Sequence, residues 1–214
     1  MASRSHPAAD AHVHQGQARP TVELHLQDGR VLEGPRGATL ETFVRTLDGF
    51  ETPIVGGIVN GELRELTYPI EMEARLRPVT LGEPDGMRIY RRSLTFLLAS
   101  AFEELFPGSW LTVDHSVSSG GYFCQVRGRP DLDQSELERL EQRMRQLAEA
   151  DLPFGKEQVP LEEAIQLFRQ RGYVDKVRLL SHRRKPWLVL YSLGDHRDYH
   201  HGYMLPRTGY LNRF

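Results

Sequence analysis

Apolar residues in the first part of the chain, residues 21–80, recur mostly at every second position. Val22, Leu24 and Leu26 alternate with polar residues, which is typical of a half-buried strand, and the Asp-Gly pair that follows predicts a hairpin turn. Beyond that turn the pattern predicts a return strand, a short helix and two more strands, at residues 31–32, 38–47, 54–59 and 76–79. This part of the chain is therefore predicted to form a small, sheet-rich domain.

A helical period dominates the second part of the chain, residues 87–214. One apolar stripe at helical spacing consists of Leu94, Leu97, Leu98, Ala101, Phe102 and Leu105. Two further helices are predicted at residues 135–150, where Ser135 and Glu138 would form a capping box, and at residues 161–171. Short apolar runs predict strands near residues 111–113, 122–126, 176–180 and 187–193.

The two patterns together predict an α+β fold with two domains. The order strand, strand, helix, strand, strand in residues 21–80 is that of a β-grasp, ubiquitin-like domain. Residues 87–214 would pack helices on an antiparallel sheet. Glycine and proline at residues 81–86 predict a linker between the two domains.

Composition excludes several classes of site and partner. The chain has 214 residues, of which 39% are hydrophobic, and a formal net charge of -2, so the chain as a whole is not attracted to nucleic acid or membrane. A single cysteine, Cys124, excludes an intrachain disulfide and a cysteine-rich zinc site. No apolar run is as long as a signal peptide or a membrane span, which predicts a cytoplasmic protein without a membrane partner. Residues 1–20 predict a disordered tail, whose His12 and His14 lack the rigid frame of a metal site.

Charge is distributed unevenly along the chain. Residues 21–80 carry ten acidic and six basic side chains, whereas residues 156–214 carry eleven basic and six acidic ones. This asymmetry favours a polyanion as a partner of the C-terminal half. The cations that lie close to Trp187, as in RNA-binding surfaces, are Arg178, Arg183, Arg184 and Lys185. A solvated hairpin tip is the alternative interpretation of these cations.

The densest run of polar side chains, residues 195–201, follows the last predicted strand. Polar residues at the end of a buried strand commonly form a site, and the glycine and aspartates here favour a loop. The candidate ligand-binding residues are His196, Arg197, His200, His201, Ser119 and Gly120. The candidate catalytic residues are His196, His200, His115 and Asp198. Three interpretations stay open: a hydrogen-bond network of the histidines with Asp195 and Asp198, a nucleotide or tRNA-end site, and a metal site.

Several segments, taken in order, resemble the N-terminal half of threonyl-tRNA synthetase. Residues 59–63 and 71–80 are similar to the end of the TGS domain of that family, and residues 86–107 to the first helix of its editing module. Residues 119–123 resemble the glycine-aromatic strand of that module, and residues 140–172 its central helices. The resemblance implies a TGS β-grasp domain followed by the second additional domain of threonyl- and alanyl-tRNA synthetases.

The resemblance also bears on the chemistry of the site. In that family the editing site combines an HxxxH pair on the first helix with a CxxxH pair after a late strand. Phe96 and Ser100 stand at the first pair, and His196 and His200 stand at the second. Ester hydrolysis needs a positioned water and a proton carrier, and a metal mechanism usually needs three protein ligands. The possible third ligands, for a zinc ion for example, are His115, Asp198 and Cys124. The resemblance therefore predicts a module without an assigned catalytic residue or metal, and aminoacyl-tRNA deacylase activity is the alternative.

Residues 191–206 resemble the N-terminal region of bacterial nucleoside kinases of the uridine kinase and phosphoribulokinase type. In that family a TGS domain and a degenerate synthetase-like domain precede a P-loop kinase domain. The present sequence has no GxxxxGK[ST] motif, and its one Gly-Lys pair, Gly155-Lys156, is followed by Glu157. The resemblance implies a regulatory module that binds RNA or a nucleotide and holds no cofactor. Its expected partner is a kinase domain outside this chain, which would use ATP and magnesium.

Overall fold

The computed structural model describes residues 17–117 and 121–214, apart from the side chain of His115. Residues 1–16 of the predicted disordered tail, with His12 and His14, and the predicted ligand residues Ser119 and Gly120 therefore lie outside the described residues. The same holds for the proposed catalytic or ligand role of the His115 side chain.

The first part of the chain forms a five-stranded mixed sheet with one short helix against it. Its strands are β1 (Thr21–Leu26), β2 (Val31–Pro35), β3 (Ile54–Val59), β4 (Glu62–Glu65) and β5 (Ala74–Thr80). The order across the sheet is β2-β1-β5-β3-β4, in which β1 and β5 run parallel and the other neighbours antiparallel. The helix α1 (Leu40–Val44) turns Leu40, Phe43 and Val44 into the core of this sheet. The alternating pattern predicts these strands except β4, which is short and mostly polar.

The second part of the chain combines helices with two antiparallel sheets. Its elements are α2 (Pro84–Leu105), β6 (Trp110–Ser116), β7 (Tyr122–Arg127), α3 (Gln134–Glu149), β8 (Gly155–Pro160), α4 (Leu161–Gln170), α5 (Val174–Ser181), β9 (Trp187–Leu193) and β10 (His196–Tyr199). Strands β8, β9 and β10 form one sheet in the order β10-β9-β8, and β6 and β7 form a separate hairpin. The architecture is therefore α+β, as the sequence predicts. Within the described residues, none of the helices has the length and apolarity needed to cross a membrane.

The prediction of a strand at residues 176–180 is wrong, because these residues lie in α5. A short apolar run does not distinguish a strand from a helix, and here Leu180 alone of α5 is fully buried. The strand that pairs with β9 is instead β8, which the sequence analysis does not predict. Four of the six residues of β8 are exposed, so it lacks an apolar alternation.

The predicted linker at residues 81–86 is only partly correct, because α2 begins at Pro84. Proline is favoured in the first turn of a helix, where its missing N–H costs nothing. Gly86 is needed because a Cβ atom at this position would lie 1.9 Å from the carbonyl oxygen of Thr80. Glycine and proline therefore mark a close helix–sheet contact here.

The capping box of α3 is also displaced from its predicted position. Asp133, and not Ser135, is the N-cap: its carboxylate accepts a hydrogen bond from the backbone N–H of Glu136 at 2.9 Å. The carboxylate of Glu136 accepts in return from the backbone N–H of Asp133 at 3.2 Å. The sequence offers two overlapping boxes, and the carboxylate cap is the one that forms.

The long helix α2 lies at the centre of the largest apolar core. Its residues Phe96, Leu97, Ala101 and Phe102 are completely buried. The same core includes Val55 from the first sheet, so apolar packing continues from that sheet into the second part of the chain. The position of α2 is therefore fixed by burial on both sides.

A buried carboxylate also joins the two parts. Glu65 at the end of β4 is 3% exposed and is paired with the ammonium group of Lys156 in β8. Its other oxygen accepts hydrogen bonds from the hydroxyl of Tyr191 at 3.1 Å and from the backbone N–H of Met204 at 3.4 Å. Burial, followed by the charge of Glu65, raises the pKa of the Tyr191 hydroxyl, which therefore remains a donor.

Candidate functional site

The polar run at residues 195–201 is mostly a strand and not the predicted loop. Gly194 adopts a positive φ of 56° in the turn after β9, and His196 to Tyr199 then pair antiparallel with β9. Side chains alternate along a strand, so His196 and Asp198 share one face, and both are buried. The polar residues of β10 thus form a strand of the sheet because they pair with the strongly apolar β9.

The opposite face of β10 carries Arg197, which was predicted to bind a ligand. Its guanidinium forms a salt bridge of 2.7 Å with Glu157 on β8. Arg197 does not line the cavity that opens beside His200. His201, another predicted ligand residue, is exposed, and its ring nitrogen lies 3.0 Å from the hydroxyl of Tyr199. The structure therefore places His196, Asp198 and His200 of the predicted residues in this run on the side of α2.

Helix α2 faces these histidines with the two positions that the family resemblance singles out. The centroid of the Phe96 ring lies 4.7 Å from that of His196 and 5.4 Å from that of His200. Ser100, one turn further, donates a hydrogen bond to the backbone carbonyl of Leu193 at 3.2 Å. All four positions therefore converge, and a buried phenyl ring fills the space between the two histidines and α2.

His196 is held by a carboxylate that the sequence analysis did not identify. Its Nδ1 atom lies 2.8 Å from Oε2 of Glu103 on α2, although the contact is poorly aligned for a hydrogen bond. Glu103 also accepts from the hydroxyl of Tyr173 and lies 3.7 Å from Arg171. Burial works to raise the pKa of Glu103, but His196 and these donors outweigh burial and hold the pKa below its ordinary value. His196 is thus buried beside a half-buried cluster of Glu103, Arg171 and Tyr173.

His200 is paired with Asp198. The Nε2 atom of His200 lies 3.6 Å from Oδ2 of Asp198, which also accepts from the ammonium group of Lys176 at 2.5 Å. The other oxygen accepts from the backbone N–H of Tyr199 at 2.6 Å. Burial works to raise the pKa of Asp198, but His200 and Lys176 hold it well below the ordinary value, so the group is a carboxylate at neutral pH. Each histidine therefore lies beside a carboxylate, with Glu103 in the place expected for Asp195, although neither contact has the geometry of the predicted hydrogen bond.

A cavity of about 560 Å³ opens beside His200. It lies between α2, the β6–β7 hairpin, the start of α5 and the end of β10, and Asp198, His200 and Lys176 form one wall. Thr95 and Ala99 of α2 form the floor, and Trp110 lies on the hairpin side. His200 is partly exposed in this cavity, whereas His196 is buried behind it. No group of three or more His, Cys, Asp or Glu side chains in the described ranges is arranged to hold a metal ion.

Of two further residues of this site, Glu103 and Lys176, only Glu103 carried a signal in the sequence. Glu103 lies three positions after Ser100 and seven after Phe96, which places it on the same face of α2. Lys176 lies in a segment that is predicted as a strand, and the helix α5 instead directs it to Asp198. Helical spacing along α2 could therefore have identified Glu103. Lys176 could be identified only once its segment was known to be a helix and not a strand.

The four predicted RNA-binding cations lie on the second half of α5 and on the turn that leads to β9. They do not lie at the tip of a β-hairpin, as the alternative interpretation assumes. Arg183 donates to the hydroxyl of Tyr199 at 2.7 Å, and the ammonium group of Lys185 lies 5.6 Å from the ring centroid of Trp187. Arg183 therefore contacts the last residue of β10, which precedes His200.

Comparison with known proteins supports the synthetase resemblance. No protein-family model matches the chain. The threonine–tRNA ligase of Rubrobacter xylanophilus is 34% identical over 193 residues, which are 89% of this chain and 30% of that protein. The threonine–tRNA ligase of Halorhodospira halophila is 36% identical over 159 residues, which are 74% of this chain and 25% of that protein. That of Thermotoga maritima is 31% identical over 195 residues, which are 90% of this chain and 30% of that protein.

These relatives give no support to the resemblance to uridine kinases, nor to a kinase domain as partner. The matched region spans only about 30% of the length of the ligases. The chain is thus a homologue of the N-terminal region of threonine–tRNA ligases.

Proposed function

We propose that this chain is a tRNA-related module of the editing type, which binds the aminoacylated 3′ end of a tRNA in the cavity beside His200. The observation that carries the proposal is the convergence of Phe96, Ser100, His196 and His200, of which His200 lines that cavity. Homology to threonine–tRNA ligases over about nine-tenths of the chain supports the same assignment. A tRNA is then the natural macromolecular ligand.

The domain organisation forms part of the proposal. Residues 21–80 would be a TGS domain of the β-grasp type, which the sheet order β2-β1-β5-β3-β4 with its parallel central pair supports. Residues 87–214 would be the editing-like domain. The continuous core and the buried Glu65 contacts would hold the two domains in one orientation.

The cavity matches an aminoacyl-adenosine in size and chemistry. Its volume of about 560 Å³ lies within the usual range of small-molecule sites. Asp198 is an anionic partner for an α-ammonium group, Thr95 offers a hydroxyl for the ribose, and the indole of Trp110 offers a face for the base. A free amino acid would leave much of this cavity unfilled.

The proposal is tested with an RNA hairpin whose single-stranded 3′ end carries an amino acid in amide linkage on its terminal adenosine. We expect saturable binding of this aminoacyl-amide hairpin in a fluorescence anisotropy titration. The same hairpin without the amino acid should bind about tenfold more weakly, since it lacks the α-ammonium group that would contact Asp198. Equal affinity for the two hairpins, or no saturable signal, would contradict the proposal.

Hydrolysis of the bound ester is a second candidate function, and one observation favours it. His200 is partly exposed in the cavity and lies 3.6 Å from the Asp198 carboxylate. Such a pair can take a proton from water, because the carboxylate stabilises the imidazolium that forms. Phe96 and Ser100, which lie beside the histidines on α2, supply no second proton carrier, since one side chain is a phenyl ring and the hydroxyl of the other bonds to a backbone carbonyl.

Ester loss from a genuinely esterified aminoacyl-RNA measures this second function. If His200 acts as the base, wild-type protein should accelerate hydrolysis, and His200→Ala should lose about a hundredfold of the protein-dependent rate. The aminoacyl-amide hairpin provides the matched binding control, because it reports whether the variant still binds. Equal rates for wild type, His200→Ala and a sample without protein would remove hydrolysis and leave binding as the function.

A further inference from the structure

We infer that the α5 basic surface, which consists of Arg178, Arg183, Arg184 and Lys185, binds the phosphates of a single-stranded RNA segment that leads into the cavity beside His200. This inference rests on the proposed function, because it assumes that the cavity takes the 3′ end. The α5 basic surface would be a second contact region for the same RNA. It would bind the RNA where the strand is unpaired.

The surface and the cavity are connected through helix α5 and Tyr199. The first turn of α5 lines the cavity with Val174, Asp175 and Lys176, while the second half of the same helix begins the basic surface. Tyr199 connects the two regions, because it lines the cavity and its hydroxyl accepts a hydrogen bond from Arg183 at 2.7 Å. A strand whose last nucleotide lies at His200 would therefore cross this surface.

The charge of the surface is not neutralised by the protein. Residues 174–187 contain five Lys or Arg side chains and one acidic residue, Asp175. Lys176 alone of these cations forms a salt bridge, and the four cations of the α5 basic surface take part in none of those found among the described residues. Exposed cations without carboxylate partners attract phosphates and release the counterions of a nucleic acid.

Aromatic side chains indicate that the bound strand is unpaired. Trp187 is 39% exposed at the edge of the surface, and Lys185 lies over its ring at 5.6 Å. Proteins that bind single-stranded nucleic acid combine a cationic path with aromatic rings on which bases stack. Bases in a duplex are already stacked and paired, so they would not use this ring.

The surface is tested by the triple substitution Arg178→Gln, Arg184→Gln and Lys185→Gln. Arg183 is retained because it holds Tyr199. Two probes are titrated: adenosine that carries the amide-linked amino acid, which fits the cavity alone, and the aminoacyl-amide hairpin. We expect the ratio of hairpin affinity to nucleoside affinity to fall by about tenfold in the triple variant, with a shallower dependence of the hairpin affinity on salt concentration.

A matched control variant carries Arg75→Gln, Arg139→Gln and Arg169→Gln. These arginines are exposed on other elements, and the net charge changes by the same amount. The affinity ratio of the control should stay within about twofold of the wild-type value, because phosphate contacts are local at physiological salt. Equal losses in the two triple variants would reveal a general effect of charge and would overturn the inference.

The remaining outcomes separate this inference from the proposed function. If the nucleoside binds and the triple variant keeps the wild-type affinity ratio, the α5 basic surface is wrong and the cavity stands. If the nucleoside does not bind wild-type protein, the proposed function fails, and this inference fails with it. If a hairpin with a fully paired end shows the same loss in the triple variant, the surface binds duplex RNA and the single-strand assignment is wrong.

Discussion

Substitution of Phe96 by alanine is expected to lower the free energy of unfolding by about 4 kcal/mol. Phe96 is completely buried on α2 and packs edge to face against Phe154 as well as against the rings of His196 and His200. Removal of the ring would leave a void in the middle of the largest core, between α2 and β10, and the void would forfeit both burial and aromatic contacts. Urea denaturation followed by intrinsic fluorescence measures the loss.

The matched control for this prediction is Phe50→Ala. Phe50 is 37% exposed and lies outside the apolar cores, so the same change in side chain should cost about 1 kcal/mol or less. Phe96→Leu should show an intermediate loss, since leucine refills part of the space. Losses of similar size for Phe96→Ala and Phe50→Ala would show that the phenyl ring does not fill the pocket between α2 and the histidines.

Substitution of Glu65 by alanine is expected to lower the free energy of unfolding by about 3 kcal/mol. The carboxylate is almost fully buried and satisfies three donors, on Lys156, Tyr191 and Met204, that belong to the second part of the chain. Without it, the Tyr191 hydroxyl and the Met204 N–H would lose an acceptor inside the protein, while Lys156 can turn to solvent. Chemical denaturation of Glu65→Ala and wild type gives the difference.

A neighbouring glutamate on the same strand provides the control. Glu62 is paired with Arg64, and its side chain is 67% exposed. Surface pairs of this kind contribute about 0–1 kcal/mol, so Glu62→Ala should be close to wild type. If Glu65→Ala and Glu62→Ala lose the same small amount, the buried carboxylate does not join the two parts of the chain.

Local patterns in the sequence were sufficient to predict the helices and strands that bury one regular face. The alternation at Val22, Leu24 and Leu26 and the helical stripe of α2 both come from residues that recur on one buried face, so their periods are visible in the sequence. Strand β8 and helix α5 were missed because their conformation depends on pairing with β9 and on the packing of one leucine. Such tertiary contacts leave no period in a short, mostly polar segment.

The candidate site shows the same division. His196 and His200 could be identified from the density of polar groups after a strand, and Phe96 and Ser100 from the family resemblance. The carboxylate that holds His196 and the ammonium group that holds Asp198 come from α2 and α5, far along the chain. Only the three-dimensional arrangement shows that each imidazole lies beside a carboxylate.

The location of the ligand is tested most directly by filling the cavity without removing any polar group. Ala99 on α2 lines the cavity beside His200, and Ala148 on α3 lines a separate cavity of about 690 Å³. Both alanines are half-buried and helical, so Ala99→Trp and Ala148→Trp are a matched pair. Thermal unfolding monitored by circular dichroism checks that both variants fold.

The measurement is the dissociation constant of the aminoacyl-amide hairpin for the two variants and wild type. The account predicts that Ala99→Trp weakens binding by about tenfold or more, because the indole occupies the space of the aminoacyl-adenosine, whereas Ala148→Trp stays within about twofold of wild type. Wild-type affinity in Ala99→Trp would show that the RNA end binds elsewhere and would contradict the account.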